Sequence, residues 1–226
     1  MHRLVGLLGA KGAGKDTAAT LLVQKLGFIR LGFADALYRE VVEAFGVTNE
    51  FVSRRETKET PLEELALLHC KDPQFVEIVE RILGIATMQD RQAFRAAPRS
   101  PRWVLQQWGT EYRRRSAYGW DSYWLDQVSG VIAAHPKSRF VITDVRFPNE
   151  ADYVEREGGL LARVRRPVLE ALEEQARLAG TVTALHPSET ELLARTVHTE
   201  LINQEGDVNS LAQGLRLVFP ELTQAA

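Results

Sequence analysis

The sequence predicts an α/β fold, a three-layer sandwich of about five parallel strands flanked by helices. Three observations lead there: a strand, Gly-rich loop, helix and second strand at the start; a later apolar run ending in a carboxylate; and helix–strand alternation beyond it. Leu4 to Leu8 is a short apolar run bounded by Gly9, as in a strand buried on both faces. Residues 16–25 carry Ala18, Ala19, Leu21 and Leu22 at helical spacing, closed by Gly27. Residues 28–33 read as a strand and 35–45 as a helix stopped by Gly46. The spacing next predicts amphipathic helices over 61–70 and 74–83, a basic linker over 91–100, a helix from Pro101 to about Arg115, and another over 121–134. The clearest later strand is Phe140 to Val145. A helix over 149–157, a strand over 160–164, a helix over 167–180, a strand over 198–203 and a C-terminal helix complete the pattern.

The chain of 226 residues fits one domain carrying a large insertion, and 45% hydrophobic with 26% charged residues is an ordinary globular balance. The expected organisation is a single domain over 1–226, with a helical insertion at 47–134. A net charge of −2 gives no overall attraction to nucleic acid or an anionic membrane. One cysteine, Cys70, excludes an internal disulfide framework. The opening apolar stretch lacks the length and cleavage pattern of a signal peptide, and no run approaches 18 apolar residues. A cytoplasmic location is therefore expected.

Gly9 to Lys15 matches GxxxxGK, a phosphate-binding loop, and it stands between a buried strand and a helix, where that loop belongs. Backbone N–H groups of such a loop turn inward around a phosphate, and the following helix adds its positive end. Lys11, Gly12, Ala13, Gly14 and Lys15 would hold the polyphosphate, with Lys15 reaching the β- and γ-phosphates. Asp16 stands where a magnesium-binding hydroxyl is usual. It either holds the metal through water or is a first-turn anion that favours the helix dipole. Thr17 offers a hydroxyl to the α-phosphate.

Asp144 closes the later apolar strand, where a phosphoryl-transfer enzyme keeps a carboxylate for magnesium. Carboxyl ends of parallel strands border the ligand crevice, so Asp144 and the loop after Leu8 can share a site. Arg146 would reach the transferred phosphoryl group and Glu150 would orient substrate or an arginine; the plainer reading pairs Asp144 with Arg146. All four tryptophans fall between Trp103 and Trp124. There Gln106 offers an amide to a base edge, Gly109 and Thr110 allow close backbone approach, and Arg113 suits an acceptor phosphate. At least two of the tryptophans are expected in the core. Arg113, Arg114 and Arg115 on one helix cannot share a face, so a stable nucleic-acid interface is not expected.

Taken together, GAKGAGKDT at 9–17, FADAL at 33–37, LQQWGTE at 105–111, ITDVRFPNEAD at 142–152, GGLLARVRRP at 158–167 and HPSE at 186–189 resemble phage-type deoxynucleoside monophosphate kinases, members of the P-loop nucleoside monophosphate kinase superfamily. The resemblance implies ATP as phosphoryl donor with Mg²⁺, and a deoxynucleoside 5′-monophosphate as acceptor. It implies Lys15, Arg146 and Asp144 as the catalytic group, with Asp16 and Asp144 toward the metal. Asp35, Gln106, Gly109, Thr110, Arg113 and Trp124 fall on the acceptor side. Arg163, Arg165 and Arg166 follow a strand end and cannot all point inward. Arg166 is the one expected to close on the phosphates, and Asn203 and Gly206 are placed to approach the adenine. His186, Ser188 and Glu189 match the family's HxSE and fall between a helix and the last strand, where such kinases carry a lid, here 166–197. The insertion at 47–134 would bind the acceptor. Partners would be nucleotides, with a homodimer by analogy alone, and the location the host cytoplasm if the chain is phage-encoded. Two other readings stay open: a P-loop kinase of another phosphorylated small molecule, such as phosphomevalonate or dephospho-coenzyme A, and an ATP-gated binding module without catalysis.

Overall fold

A computed structural model of the chain describes residues 2–117, 119–180, 192, 194–204 and 207–223. The chain divides into two compact units, one formed by Met1–Phe33 with Val128–Ala226 and the other by Ala34–Gln127.

The first unit is built on a five-stranded sheet. Strands β1 (Leu4–Leu8), β2 (Phe28–Leu31), β3 (Arg139–Ile142), β4 (Leu160–Arg165) and β5 (Thr199–Ile202) lie in the order β2-β3-β1-β4-β5. Every pair is parallel; Val5 sits opposite Val141 on one side and Leu160 on the other. β1 has neighbours from both halves of the sheet, so the connections leaving β1 and β3 diverge at its carboxyl end and leave a crevice there.

All five residues of β1 are buried. One face of the strand, carrying Val5 and Leu7, packs on helix α1 (Lys15–Leu26) through Ala18, Ala19 and Leu22. The same cluster takes Leu211 and Leu215 from the C-terminal helix α10 (Val208–Val218), with Phe219 and Leu222 beyond it. Phe28 and Phe219 meet edge to face at 5.8 Å, and the Arg139 guanidinium lies 4.2 Å from the Phe28 ring centre. The opposite face is covered by α8 (Pro148–Arg156); a side chain at Gly6 would come within 2.9 Å of Val154. Helices on both faces give the three layers. The β4-to-β5 connection holds α9 (Pro167–Leu178).

The second unit is helical: α2 (Ala34–Phe45), α3 (Asn49–Ser53), α4 (Pro73–Ile82), α5 (Met88–Ala96), α6 (Pro101–Gln106) and the first residues of α7 (Tyr123–Ala134). Its centre is aromatic. Phe75 lies 4.5 Å from Trp108, 5.6 Å from Tyr112 and 6.5 Å from Phe45.

Three expectations are corrected. Residues 61–70 form two single 3₁₀ turns, Glu63–Leu65 and Leu67–His69, with Ala66 extended between them. Leu65, Ala66 and Leu67 are all buried, and three consecutive side chains on an α-helix cannot face one core. The basic stretch 91–100 is mostly helix α5, capped by the Thr87 hydroxyl, which accepts from Asp90 N. Its arginines are drawn to buried Glu80, which Arg95 grips in two hydrogen bonds of 2.6 and 3.0 Å. Finally, α6 stops at Gln106 and continues as a π-turn over Gln107–Tyr112.

Candidate active site

The loop that follows β1 is shaped by glycine and by donors to its carbonyls. Gly9 has φ 135°, and a Cβ there would stand 2.2 Å from the Val164 carbonyl of β4. Only glycine lets the chain leave β1 at that separation. Gly12 and Gly14 also have positive φ. Lys15 Nζ donates to the carbonyls of Gly9 at 2.6 Å and Ala10 at 2.8 Å. Arg166 Nη1 donates to Gly12 O at 3.4 Å, and Asn203 Nδ2 donates to Ala13 O at 2.7 Å. Gly14 caps α1 without a side chain, so the helix's first N–H groups stand beside the loop unscreened by a side-chain cap.

Around this loop the first unit gathers mixed charge. Burial, foremost, and then the Arg146 guanidinium hold the Lys15 ammonium below the usual lysine range, while Asp16 and Asp144 act the other way. Asp16 is exposed and pairs with Arg30 of β2 at 2.7 Å. Asp144 lies two residues beyond the end of β3, and its Oδ1 accepts the Phe33 amide at 2.8 Å. The carboxylate is thereby fixed at the carboxyl ends of β2 and β3.

Two sequence-predicted site residues, Glu150 and Asn203, bond to the backbone. Glu150, 1% exposed, spends Oε2 on the backbone amides of Arg146 at 2.9 Å and Phe147 at 3.2 Å. It therefore fixes the turn carrying Arg146. Asn203, 4% exposed, donates its side-chain amide to the Ala13 carbonyl, so it reaches the phosphate loop. His186, Ser188, Glu189 and Gly206 lie outside the described residues.

The acceptor-side candidates belong to the second unit. Asp35 is exposed on the first turn of α2, Gln106 is exposed, Thr110 is half-buried and Gly109 is buried. Trp124, 3% exposed, donates its indole N–H to Gly109 O at 2.9 Å. It is a core residue supporting the π-turn and does not offer its face to a ligand; Trp108 is likewise core. Arg113 donates Nε to Glu40 at 2.8 Å. Its guanidinium carbon lies 4.4 Å from the Tyr112 ring centre and 4.9 Å from that of Tyr123. Glu40 also accepts from Trp108 Nε1 at 2.8 Å and from the Tyr123 hydroxyl at 2.6 Å. Burial, with this bond to Glu40 next, pushes the Tyr123 phenol up to about 12. Sequence reasoning missed Glu40 because its partners stand 68, 73 and 83 residues away, beyond any local period.

Among the described residues no cluster of three or more His, Cys, Asp or Glu could cage a metal. Asp16 and Asp144 both act on the Lys15 ammonium beside the loop, and one or two carboxylates with waters and substrate phosphates are what a magnesium ion typically uses.

A buried parallel sheet, a phosphate loop at its central strand and a carboxylate beyond the neighbouring strand define a P-loop α/β phosphotransferase. No model of a known protein family matches the chain. A protein of Acanthamoeba polyphaga mimivirus described as "Putative deoxynucleotide monophosphate kinase" is 30% identical over 207 residues, covering 84% of this chain and 81% of that one. The "Deoxynucleoside-5'-monophosphate kinase" of Escherichia phage T5 is 28% identical over 242 aligned positions, 93% of each chain. Two solved structures align over nearly the whole chain at TM-score 0.39: a sugar kinase from a Janibacter species at 15% identity and TT1252 from Thermus thermophilus at 18%. That likeness is too distant to bear on the chemistry. The chain belongs to the deoxynucleotide monophosphate kinase family, a family of nucleotide kinases.

Proposed function

We propose that this chain transfers the γ-phosphoryl group of ATP to a deoxynucleoside 5′-monophosphate, giving ADP and the diphosphate. The observation that carries the reading is the loop at 9–14, four of whose carbonyls accept from side chains, set beside Lys15, Asp144 and Arg146 in one unit. The relatives' names support the acceptor class.

The loop amides and the start of α1 hold the donor phosphates. Lys15 leaves its carbonyl partners and follows the β- and γ-phosphates, and Arg146 meets the transferred group. An acceptor phosphate is already an anion at neutral pH, so no strong base is needed; alignment and charge neutralisation carry the rate. Mg²⁺, held by Asp144 with Asp16 through water, would supply charge neutralisation on the donor phosphates. Arg113, clamped by Glu40 and two tyrosine rings, takes the acceptor phosphate, and Asp35, Gln106 and Thr110 contact the nucleoside. The organisation proposed is one kinase domain with an acceptor-binding helical insertion and a lid over 166–197, acting on free nucleotides inside the cell.

The test is a panel of purified nucleoside and deoxynucleoside monophosphates, with phosphomevalonate and dephospho-coenzyme A beside them, each given ATP and Mg²⁺ and read by ADP release and product chromatography. Transfer to at least one deoxynucleoside monophosphate is expected. Absence of transfer to all of them, or transfer only to phosphomevalonate or dephospho-coenzyme A, removes the proposal.

A further inference from the structure

We infer that Asn203 is a positioning residue of the phosphate loop, acting on the donor polyphosphate through the peptide between Ala13 and Gly14. The inference rests on reading residues 9–17 as a polyphosphate site. Asn203 immediately follows β5, and its backbone N–H donates to Arg165 O at 2.8 Å, continuing the ladder to β4. The residue is thus anchored to the sheet. Its side chain is buried and donates Nδ2 to Ala13 O at 2.7 Å.

A trans peptide points its C=O and N–H in opposite directions. Fixing the Ala13 carbonyl toward Asn203 therefore aims the Gly14 N–H at the opposite face of the loop, where a phosphate oxygen would accept it. The amide orientation is set by chemistry: an oxygen at 2.7 Å from a carbonyl oxygen would repel it, so the nitrogen must face Ala13. The consequence is visible on the other side of the group, where Asn203 Oδ1 is buried without a partner among the described residues. A residue chosen only to fill the space would not leave such an acceptor unsatisfied. The fit is close as well, since a Cβ on Gly14 would stand 2.5 Å from Nδ2. An aspartate would put anionic oxygen against the carbonyl, and leucine would leave that carbonyl without this donor, so the position calls for an amide.

A brace and a direct contact with the adenine predict different losses. If Asn203 acts through the loop, any polyphosphate feels its removal equally; if it touches the base, tripolyphosphate does not. Titration calorimetry of the full chain with Mg·ATP and with Mg·tripolyphosphate compares wild type with Asn203→Ala, and with Asn203→Ser should the alanine variant not fold by circular dichroism. Both ligands are expected to bind at least tenfold more weakly, by matching factors, with KM for the monophosphate acceptor changed less than twofold. Unchanged binding of both ligands overturns the inference, as does a loss confined to ATP or a parallel rise in the acceptor KM. A wild type that binds neither ligand defeats the reading of the loop itself. The brace is then judged without ligand by the Ala13 carbonyl ¹³C resonance: an upfield move in the variant supports the hydrogen bond, and an unmoved one refutes it.

Discussion

Lys15 is the residue on which charge placement is most exposed to experiment. Its ammonium is held below the ordinary lysine value by burial and by Arg146, so the proton leaves at lower pH than from a solvated lysine. The protonated form is the one that meets phosphate, and kcat/KM for ATP reports the free enzyme. The alkaline limb of that profile is therefore expected below 10.5, the unperturbed lysine value. Arg146→Gln removes one of the two depressing causes and should move the limb upward while lowering the rate; a limb that stays in place refutes the coupling. Lys15→Met should cost on the order of 100- to 1,000-fold in kcat, the range for losing one preorganised charge-stabilising donor. Glu40 makes a second residue-scale case. Its carboxylate collects three donors at 2.6–2.8 Å, and both it and Arg113 are mostly buried. Glu40→Gln is expected to lower stability to urea by about 2 kcal/mol, since hydrogen bonds to a charged group are worth roughly 1.5–3 kcal/mol each and one oxygen still accepts. On the proposed acceptor role it also raises KM for the monophosphate about tenfold and leaves KM for ATP unchanged. A purely structural Glu40 would give the first effect without the second.

At the scale of the element, the π-turn over Gln107–Tyr112 is the feature that periodicity could not supply. The apolar positions after Pro101 fit an ordinary helix, and the change of hydrogen-bonding pattern is imposed by tertiary partners: Trp124 on Gly109 O, Glu40 on Trp108 and Arg113, and Leu37 close to Gly109. Trp124→Phe keeps most of the apolar volume but leaves the Gly109 carbonyl without the indole donor. A loss of about 1–3 kcal/mol is expected in urea titration, the cost of a buried polar group left unmade. A change below about 0.3 kcal/mol would show that the indole bond does not support the turn. Elements with their own chemical punctuation were legible beforehand. β1 is bounded by Gly9, α1 by Gly27, α6 opens at Ser100-Pro101, and β4 follows Gly158-Gly159, each within a few residues of its place. The phosphate loop was readable for the same reason, as consecutive residues carry it. Strand order, the 3₁₀ turns around Ala66 and the Glu40 hub were not, because each depends on contacts between residues far apart in the chain.

For the molecule as a whole, the phosphate loop depends on the far end of the chain. The face of β1 carrying Val5 and Leu7 and the inner side of α1 share one cluster with Leu211, Leu215, Phe219 and Leu222. Fully burying a side chain of this kind contributes about 1.5–3 kcal/mol, so these four account for roughly 6–12 kcal/mol. A whole domain retains only about 5–15 kcal/mol of net stability. Losing α10 and the turn after it would also strip Arg139 of Glu221, 3.1 Å away, and of the Phe219 ring beside it. A chain ending at Asp207 keeps every residue of the loop, Asp144, Arg146 and Asn203, yet it is expected to show no cooperative thermal transition above 25 °C and no heat with ATP. If that chain melts cooperatively within a few degrees of the full protein and still binds ATP, the C-terminal helix is not the support that holds α1 on the sheet.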